Sequence, residues 1–298
     1  MVQVHWDLVP TRWRFWVWFF LAEFALQPRV PRINGLDAFA GQKQMATSFL
    51  EVGLPMVPYE LLDDPVLENC LSVHGQQNFL QKLVQVSLGE DGICWLGPPC
   101  SWWVWVSRSV HQRSRKQPCR NVAHQMVAFH NILAKFVADV VWTCAALGVH
   151  VVLEQPLSSV LPDFEEVRAA LEATQAKRIS IPLWKFGAAS AKPLQLWGTA
   201  PWLTQLVEVA KQISAASPSG SQPAACPSSS SQAPATQVAV PAPTATLCTI
   251  GQEGQVTGVK GDMRDSSSYP ACFCDVVAFF HKTHLAQRVA AAAARILA

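Results

Sequence analysis

The sequence predicts a doubly wound α/β fold built on a mostly parallel sheet. Short apolar runs stop abruptly at Gly, Pro or acidic residues, as interior strands of a parallel sheet do. Those runs alternate with segments of helical periodicity, the pattern of βαβ units. Half of the 298 residues are hydrophobic and only 15% are charged, which suits a core covered on both sides.

The elements follow in order. Phe15-Trp16-Val17-Trp18-Phe19-Phe20-Leu21-Ala22 is strongly apolar but far shorter than the ~20 residues of a spanning helix, so no stable membrane span is expected. It reads as an aromatic helix or strand packed on the domain, or as a targeting or membrane-surface segment. Residues 32–39 form a first strand that turns at Ala40-Gly41 into a helix over 44–52. Met56-Val57-Pro58-Tyr59-Glu60 is a second strand ending in an acid, and residues 79–88 are amphipathic. Ile93-Cys94-Trp95-Leu96 is a third strand, ended by Gly97-Pro98-Pro99-Cys100. A long helix is predicted over 123–147. Val149-His150-Val151-Val152-Leu153 is a further strand, closed by Glu154-Gln155-Pro156. An acid-rich helix over 163–173 and short strands at 178–183 and 193–197 complete the alternation.

Residues 214–246 carry no charge and consist largely of Ser, Pro, Ala and Gln. Such a composition buries too little apolar surface to offset the entropy of ordering, so it reads as a flexible linker. The chain is therefore divided into an apolar extension (1–31), an α/β domain (32–213), a low-complexity linker (214–250) and a closing segment (251–298) with a helix over 274–297. Nine cysteines without repeating spacing point to a reducing, intracellular setting rather than a disulfide scaffold.

The chemistry-bearing residues gather at strand ends, where open α/β sheets bind ligands. A glycine turn after the first strand lets backbone N–H groups approach a ligand. Glu60, 23 residues after Asp37, is placed to hold ribose hydroxyls; a structural turn with a solvated acid is the plainer alternative. Two prolines make the loop before Cys100 rigid and project its thiol. Glu154, on an otherwise apolar strand, is costly to bury without a partner. The formal net charge is only +2, yet residues 92–138 contain no Asp or Glu and six Lys or Arg. A local anion-attracting segment thus adjoins Cys100, favouring thiolate, unless it is simply a solvated loop and the thiol inert.

In this order, Asp37-Ala38-Phe39-Ala40-Gly41, Glu60, Gly97-Pro98-Pro99-Cys100 and Glu154-Gln155-Pro156 resemble the motifs of the cytosine-5 DNA methyltransferases. The likeness is greatest to a compact algal and retroelement-associated branch. Trp184-Lys185-Phe186-Gly187-Ala188 with Lys192-Pro193, and Val256-Thr257-Gly258 through Ser268-Tyr269-Pro270, resemble later blocks. The resemblance implies an S-adenosylmethionine-dependent methyltransferase of the Rossmann-like kind. Asp37, Phe39, Gly41, Glu60 and Pro99 would line the donor, with Cys100 as nucleophile and Glu154 as the acid at the pyrimidine. Arg108, Arg113, Arg115 and Lys192 would hold nucleic acid, DNA in preference to RNA. The Ser/Pro segment stands where the family reads its target, so the resemblance implies an accessory protein for target recognition, lost specificity or a domesticated relic. The expected location is intracellular, the nucleus if the substrate is genomic DNA.

The alternative from another class is a catalytically silent nucleic-acid-binding or scaffold protein with the same fold. A thiol enzyme using His124 or His130 ranks third. Cys272, Cys274, His281 and His284 offer four metal-ligand types, but Cys-x-Cys before a helix suits a closed tetrahedral site poorly, so no metal is expected. The tryptophans Trp102, Trp103 and Trp105 read as core and crevice lining in preference to base-stacking platforms.

Overall fold

The computed structural model describes residues 3–27, 30–89, 91–188, 193–215, 249–250, 256–257 and 269–297. Six strands form one sheet in the order β2-β1-β3-β4-β6-β5. They are β1 (Gly35–Ala38), β2 (Met56–Tyr59), β3 (Ile93–Leu96), β4 (His150–Pro156), β5 (Lys177–Pro182) and β6 (Pro193–Gly198). β1 through β4 are parallel, whereas β6 runs antiparallel to both β4 and β5. The α/β class with a mostly parallel sheet is therefore observed. A separate two-stranded pair joins Thr249–Ile250 to Val256–Thr257.

Alternation along β3 shows how one sheet receives two helical layers. Cys94 and Leu96 enter one core, and Ile93 and Trp95 enter the other. Successive strand side chains point to opposite faces, so a fully apolar run must be covered twice. The first face carries α1 (Thr11–Leu26), α3 (Val73–Ser87), α5 (Gln125–Leu147) and α6 (Glu165–Ala173). The second carries α2 (Gln44–Glu51), α7 (Gln205–Ala215) and the final helix, Ala271–Leu297.

The amino-terminal aromatic run is helical. Trp13, Val17, Phe20 and Phe24 form the buried face of α1, which packs on α3, while Phe15, Trp18 and Phe19 face outward. Among the described helices, α5 is long and apolar enough to cross a membrane by length and composition. Most of that helix is buried, with Val137, Val140, Val141 and Cys144 fully enclosed beside the sheet, so its apolarity is used in the core. Gly148 ends it in the left-handed region at φ 68°, a conformation that costs glycine little.

One strand boundary differs from the sequence expectation. β4 continues through Glu154-Gln155-Pro156 instead of stopping at Leu153, because β6 runs alongside and pairs Glu154 with Leu196 and Pro156 with Leu194. The antiparallel neighbour extends the strand beyond the edge where its parallel partners finish.

Candidate functional site

The sheet register brings the predicted motif residues to one edge. Tyr59, Ala38, Leu96 and Leu153 are mutually aligned as the last positions of the parallel pairings among β2, β1, β3 and β4. The next residue in each chain is Glu60, Phe39, Gly97 and Glu154. The order reverses direction between β1 and β3, and ligands of open α/β sheets lie outside the carboxyl ends at such a switch point. Gly97 stands there among close neighbours: a Cβ on it would lie 3.0 Å from the Tyr269 hydroxyl, 3.8 Å from Glu154 Oε2 and 3.9 Å from the Phe39 carbonyl oxygen. A side chain would fill the space between the two halves of the crevice.

The first half is a tight turn. Phe39, Gly41 and Lys43 all adopt positive φ, and the Phe39 amide donates to the Tyr59 carbonyl. Glu60 holds the turn in place: Oε2 accepts from the Gly41 amide at 2.8 Å and Oε1 from the Leu62 amide at 3.2 Å. The Glu60 amide donates to Glu68, itself paired with Lys82, so the acid is fixed at its backbone as well. Gly41 is exposed, and a Cβ there would meet nothing within 4 Å, leaving room beside the turn. The turn and the strand-end carboxylate sit where the expected donor would lie, with both Glu60 oxygens already accepting backbone amides.

Asp37 behaves differently from the sequence expectation of a donor contact. It is only 2% exposed, and its Oδ2 accepts from the Ala46 amide in the first turn of α2. Its carboxyl fixes the helix behind the glycine turn and acts on the crevice indirectly. Burial pushes its pKa up to about 7; the Ala46 bond opposes that rise and the charge of Glu60 adds to it. The folded chain thus retains a proton that the unfolded chain releases near 3.8, and this group's stability contribution falls as pH rises from about 4 to about 7. Asp37→Asn is expected to gain about 3 kcal/mol on the wild type between pH 4.5 and pH 8. Urea unfolding of both proteins across that range checks it; parallel stability curves would refute the ionisation argument.

The second half joins the Pro-Pro-Cys loop to β4. Gln155 Nε2 donates to the Pro98 carbonyl at 2.8 Å, and its Oε1 accepts from Ser159 Oγ at 2.8 Å. This fully buried amide ties the loop carrying Cys100 to the strand carrying Glu154. It is a positioning role that the Glu-Gln-Pro motif did not disclose. Pro99 is exposed and Cys100 half-buried, with the Cys100 carbonyl accepting from the Trp103 amide. Glu154 Oε2 accepts from the Tyr269 hydroxyl at 3.1 Å, and the Tyr269 hydroxyl oxygen in turn accepts from Trp95 Nε1 at 3.2 Å. Burial, followed by the Glu154 charge, holds the Tyr269 phenol well above its ordinary pKa, so it stays protonated and donates. Tyr269 appeared in the sequence only as part of a closing block; its long chain separation from Glu154 hid the contact.

The basic segment divides. Arg108 and Arg115 are exposed, Arg115 lying 3.9 Å from Asp163. Arg113 is 1% exposed, which departs from the expectation that it meets nucleic acid. Its guanidinium lies 3.7 Å over the Trp103 ring and donates to Asn131 Oδ1 at 2.6 Å, to the Val127 carbonyl at 3.0 Å and to the Pro118 carbonyl. Lys192 lies outside the described residues. His124 and His130 both pack against Trp102, and burial lowers the His130 pKa to about 4. The sequence quartet in the final helix does not assemble: Cys272 is disulfide-bonded, Cys274 is buried, and His281 lies between Phe49 and Trp202.

No protein-family model matches the chain, and no curated protein matches it. Among solved structures, a methyltransferase of Entamoeba histolytica, EhMeth, is similar at 12% identity with a TM-score of 0.36. The match covers 57% of this chain and 53% of that one, so the chain spans about half the length of this structural relative.

Proposed function

We propose that the chain is an S-adenosylmethionine-dependent methyltransferase acting at C5 of cytosine in nucleic acid, with DNA favoured over RNA. The observation that carries this reading is the single row of Glu60, Phe39, Gly97 and Glu154 at the switch point, with the Cys100 loop tied to it through Gln155. Glu60, Phe39 and Gly41 would hold the donor, which supplies an electrophilic methyl group when bound. The target cytosine enters the crevice unstacked from its neighbours. Cys100 Sγ, as thiolate, forms a bond to C6, and the C5–C6 π electrons move toward C5 and the ring. Glu154, charged beside Tyr269 in the free chain, takes up a proton from solvent as the substrate enters and donates it to N3. After C5 is methylated, the C5 proton leaves to solvent, its electron pair restores C5=C6 and expels the thiolate, and the N3 proton returns to Glu154. Arg108 and Arg115 neutralise phosphates. An accessory protein reads the target, and the setting is intracellular, nuclear for a genomic substrate.

A silent nucleic-acid-binding or scaffold role is the second reading, favoured by the Tyr269 hydroxyl already bonded to Glu154. Titration calorimetry with S-adenosylmethionine separates the two. Saturable binding is expected, weakened roughly tenfold or more in Glu60→Ala through loss of charged hydrogen bonds. No heat of binding at millimolar donor would overturn the enzyme reading.

A further inference from the structure

At the opposite, amino-terminal edge of the sheet, three side chains converge from separate elements. Asp91 lies in the turn before β3, His150 opens β4, and His284 projects from the final helix. Their ligand-type atoms all lie within 4.8 Å of one another. His150 Nε2 is 3.6 Å from Asp91 Oδ1, and His284 Nε2 is 3.9 Å from Asp91 Oδ2, both too long for a hydrogen bond. The side chains are only 19%, 16% and 11% exposed for His150, His284 and Asp91. Both Nε2 atoms and Asp91 Oδ2 are buried without a hydrogen-bond partner. Unpaired buried polar atoms cost about 1–3 kcal/mol each, so three aimed at one point require an explanation.

We propose that Asp91, His150 and His284 bind a divalent transition-metal ion, zinc by ligand type, which fastens the final helix to the start of β3 and β4. Ligands at ~2.0–2.1 Å from a tetrahedral ion stand about 3.4 Å apart, and three ligand atoms that all lie within 4.8 Å of one another reach that spacing by side-chain movements of at most about 1.4 Å. Two imidazoles and one carboxylate are borderline donors suited to zinc, and a water completes the shell. Arg288 Nη1 donates to Asp91 Oδ1 at 3.1 Å, orienting the carboxylate while leaving Oδ2 to the ion. The anchored helix follows directly on Tyr269, so the ion would fix from one end of the sheet the element that meets Glu154 at the other.

The test uses the full, untagged chain stripped with chelator and titrated with Co2+, then with Zn2+. One equivalent of cobalt is expected to give the visible d–d absorption of a nitrogen and oxygen site, displaced by zinc. Zinc at a hundredfold excess over Kd is expected to raise Tm by roughly 5–10 °C. His284→Gln and Asp91→Asn are each expected to weaken binding by more than about tenfold. A wild type without saturable cobalt absorption would overturn the proposal, whatever the variants do. So would a thiolate-to-cobalt charge-transfer band, or unchanged binding in His284→Gln.

Discussion

Arg113→Met is expected to lose about 4 kcal/mol of folding stability, with the loss concentrated in the segment from Ser101 to Asn121. The guanidinium is enclosed, stacks on Trp103 and bonds to Pro118, Asn131 and Val127. Methionine keeps much of the volume and leaves three acceptors without their donor. Each such acceptor costs about 1–3 kcal/mol when water cannot replace the partner. Lysine would retain the charge but not the planar fork that reaches acceptors on two segments, so Arg113→Lys should recover only part of the loss. The Arg113 backbone amide also donates to His111 Nδ1, whose Nε2 contacts the Val104 carbonyl, a link in the loop after Cys100 that the substitution leaves in place. Exposed Arg108 and Arg115 provide the contrast: alanine there should change stability by less than about 0.5 kcal/mol and lower nucleic-acid affinity instead. Urea unfolding with amide exchange measures the stability changes, and titration of a DNA duplex measures the affinity. If Arg113→Met matched Arg108→Ala in stability and in lost affinity, the guanidinium would be facing a ligand rather than the core.

Arg113 also shows where the sequence stops being legible. Three cations within eight residues read alike as a basic loop, because composition carries no information about which guanidinium turns inward. The strands were readable for the opposite reason. Ile93–Leu96 is apolar on both faces and is ended by residues that cannot continue a ladder, so its length follows from the chain itself. The β4 end was misplaced because its last residues are held by β6, a partner forty residues away. The short helix Arg108–His111 and α7 escaped notice as well; the first is a single turn set by tertiary contacts. In the site, Cys100, Glu154 and Glu60 were visible as unusual residue types at strand ends. Gln155 and Tyr269 were not, since a buried amide and a distant phenol acquire meaning only through their partners. The cluster of Asp91, His150 and His284 was hidden likewise: its members come from three elements, and spacing along the chain could only group His284 with its own helix.

Cys100→Ser is expected to abolish covalent capture of a duplex containing 5-fluorocytosine, while Glu154→Gln should slow capture by about 10²–10⁴-fold, the usual contribution of a positioned acid. Fluorine at C5 cannot leave as a cation, so once Sγ has bonded to C6 and C5 is alkylated, the ring cannot recover its double bond and the adduct persists. Serine cannot form a thiolate, and its oxygen is a far weaker nucleophile near neutral pH. Glutamine preserves the length of Glu154 and an amide donor for N3, but it cannot transfer a proton there. The Tyr269 hydroxyl sets a further condition. Its bond to Glu154 Oε2 must be exchanged for one to the pyrimidine, so the start of the final helix has to yield when substrate enters. A bond to a charged acceptor contributes roughly 1.5–3 kcal/mol, a cost that cytosine binding can offset through N3 and stacking. Capture is read as a denaturant-resistant protein–DNA band. Donor binding without any such band in the wild type would mean that Tyr269 keeps the crevice closed, and the silent nucleic-acid-binding reading would then hold.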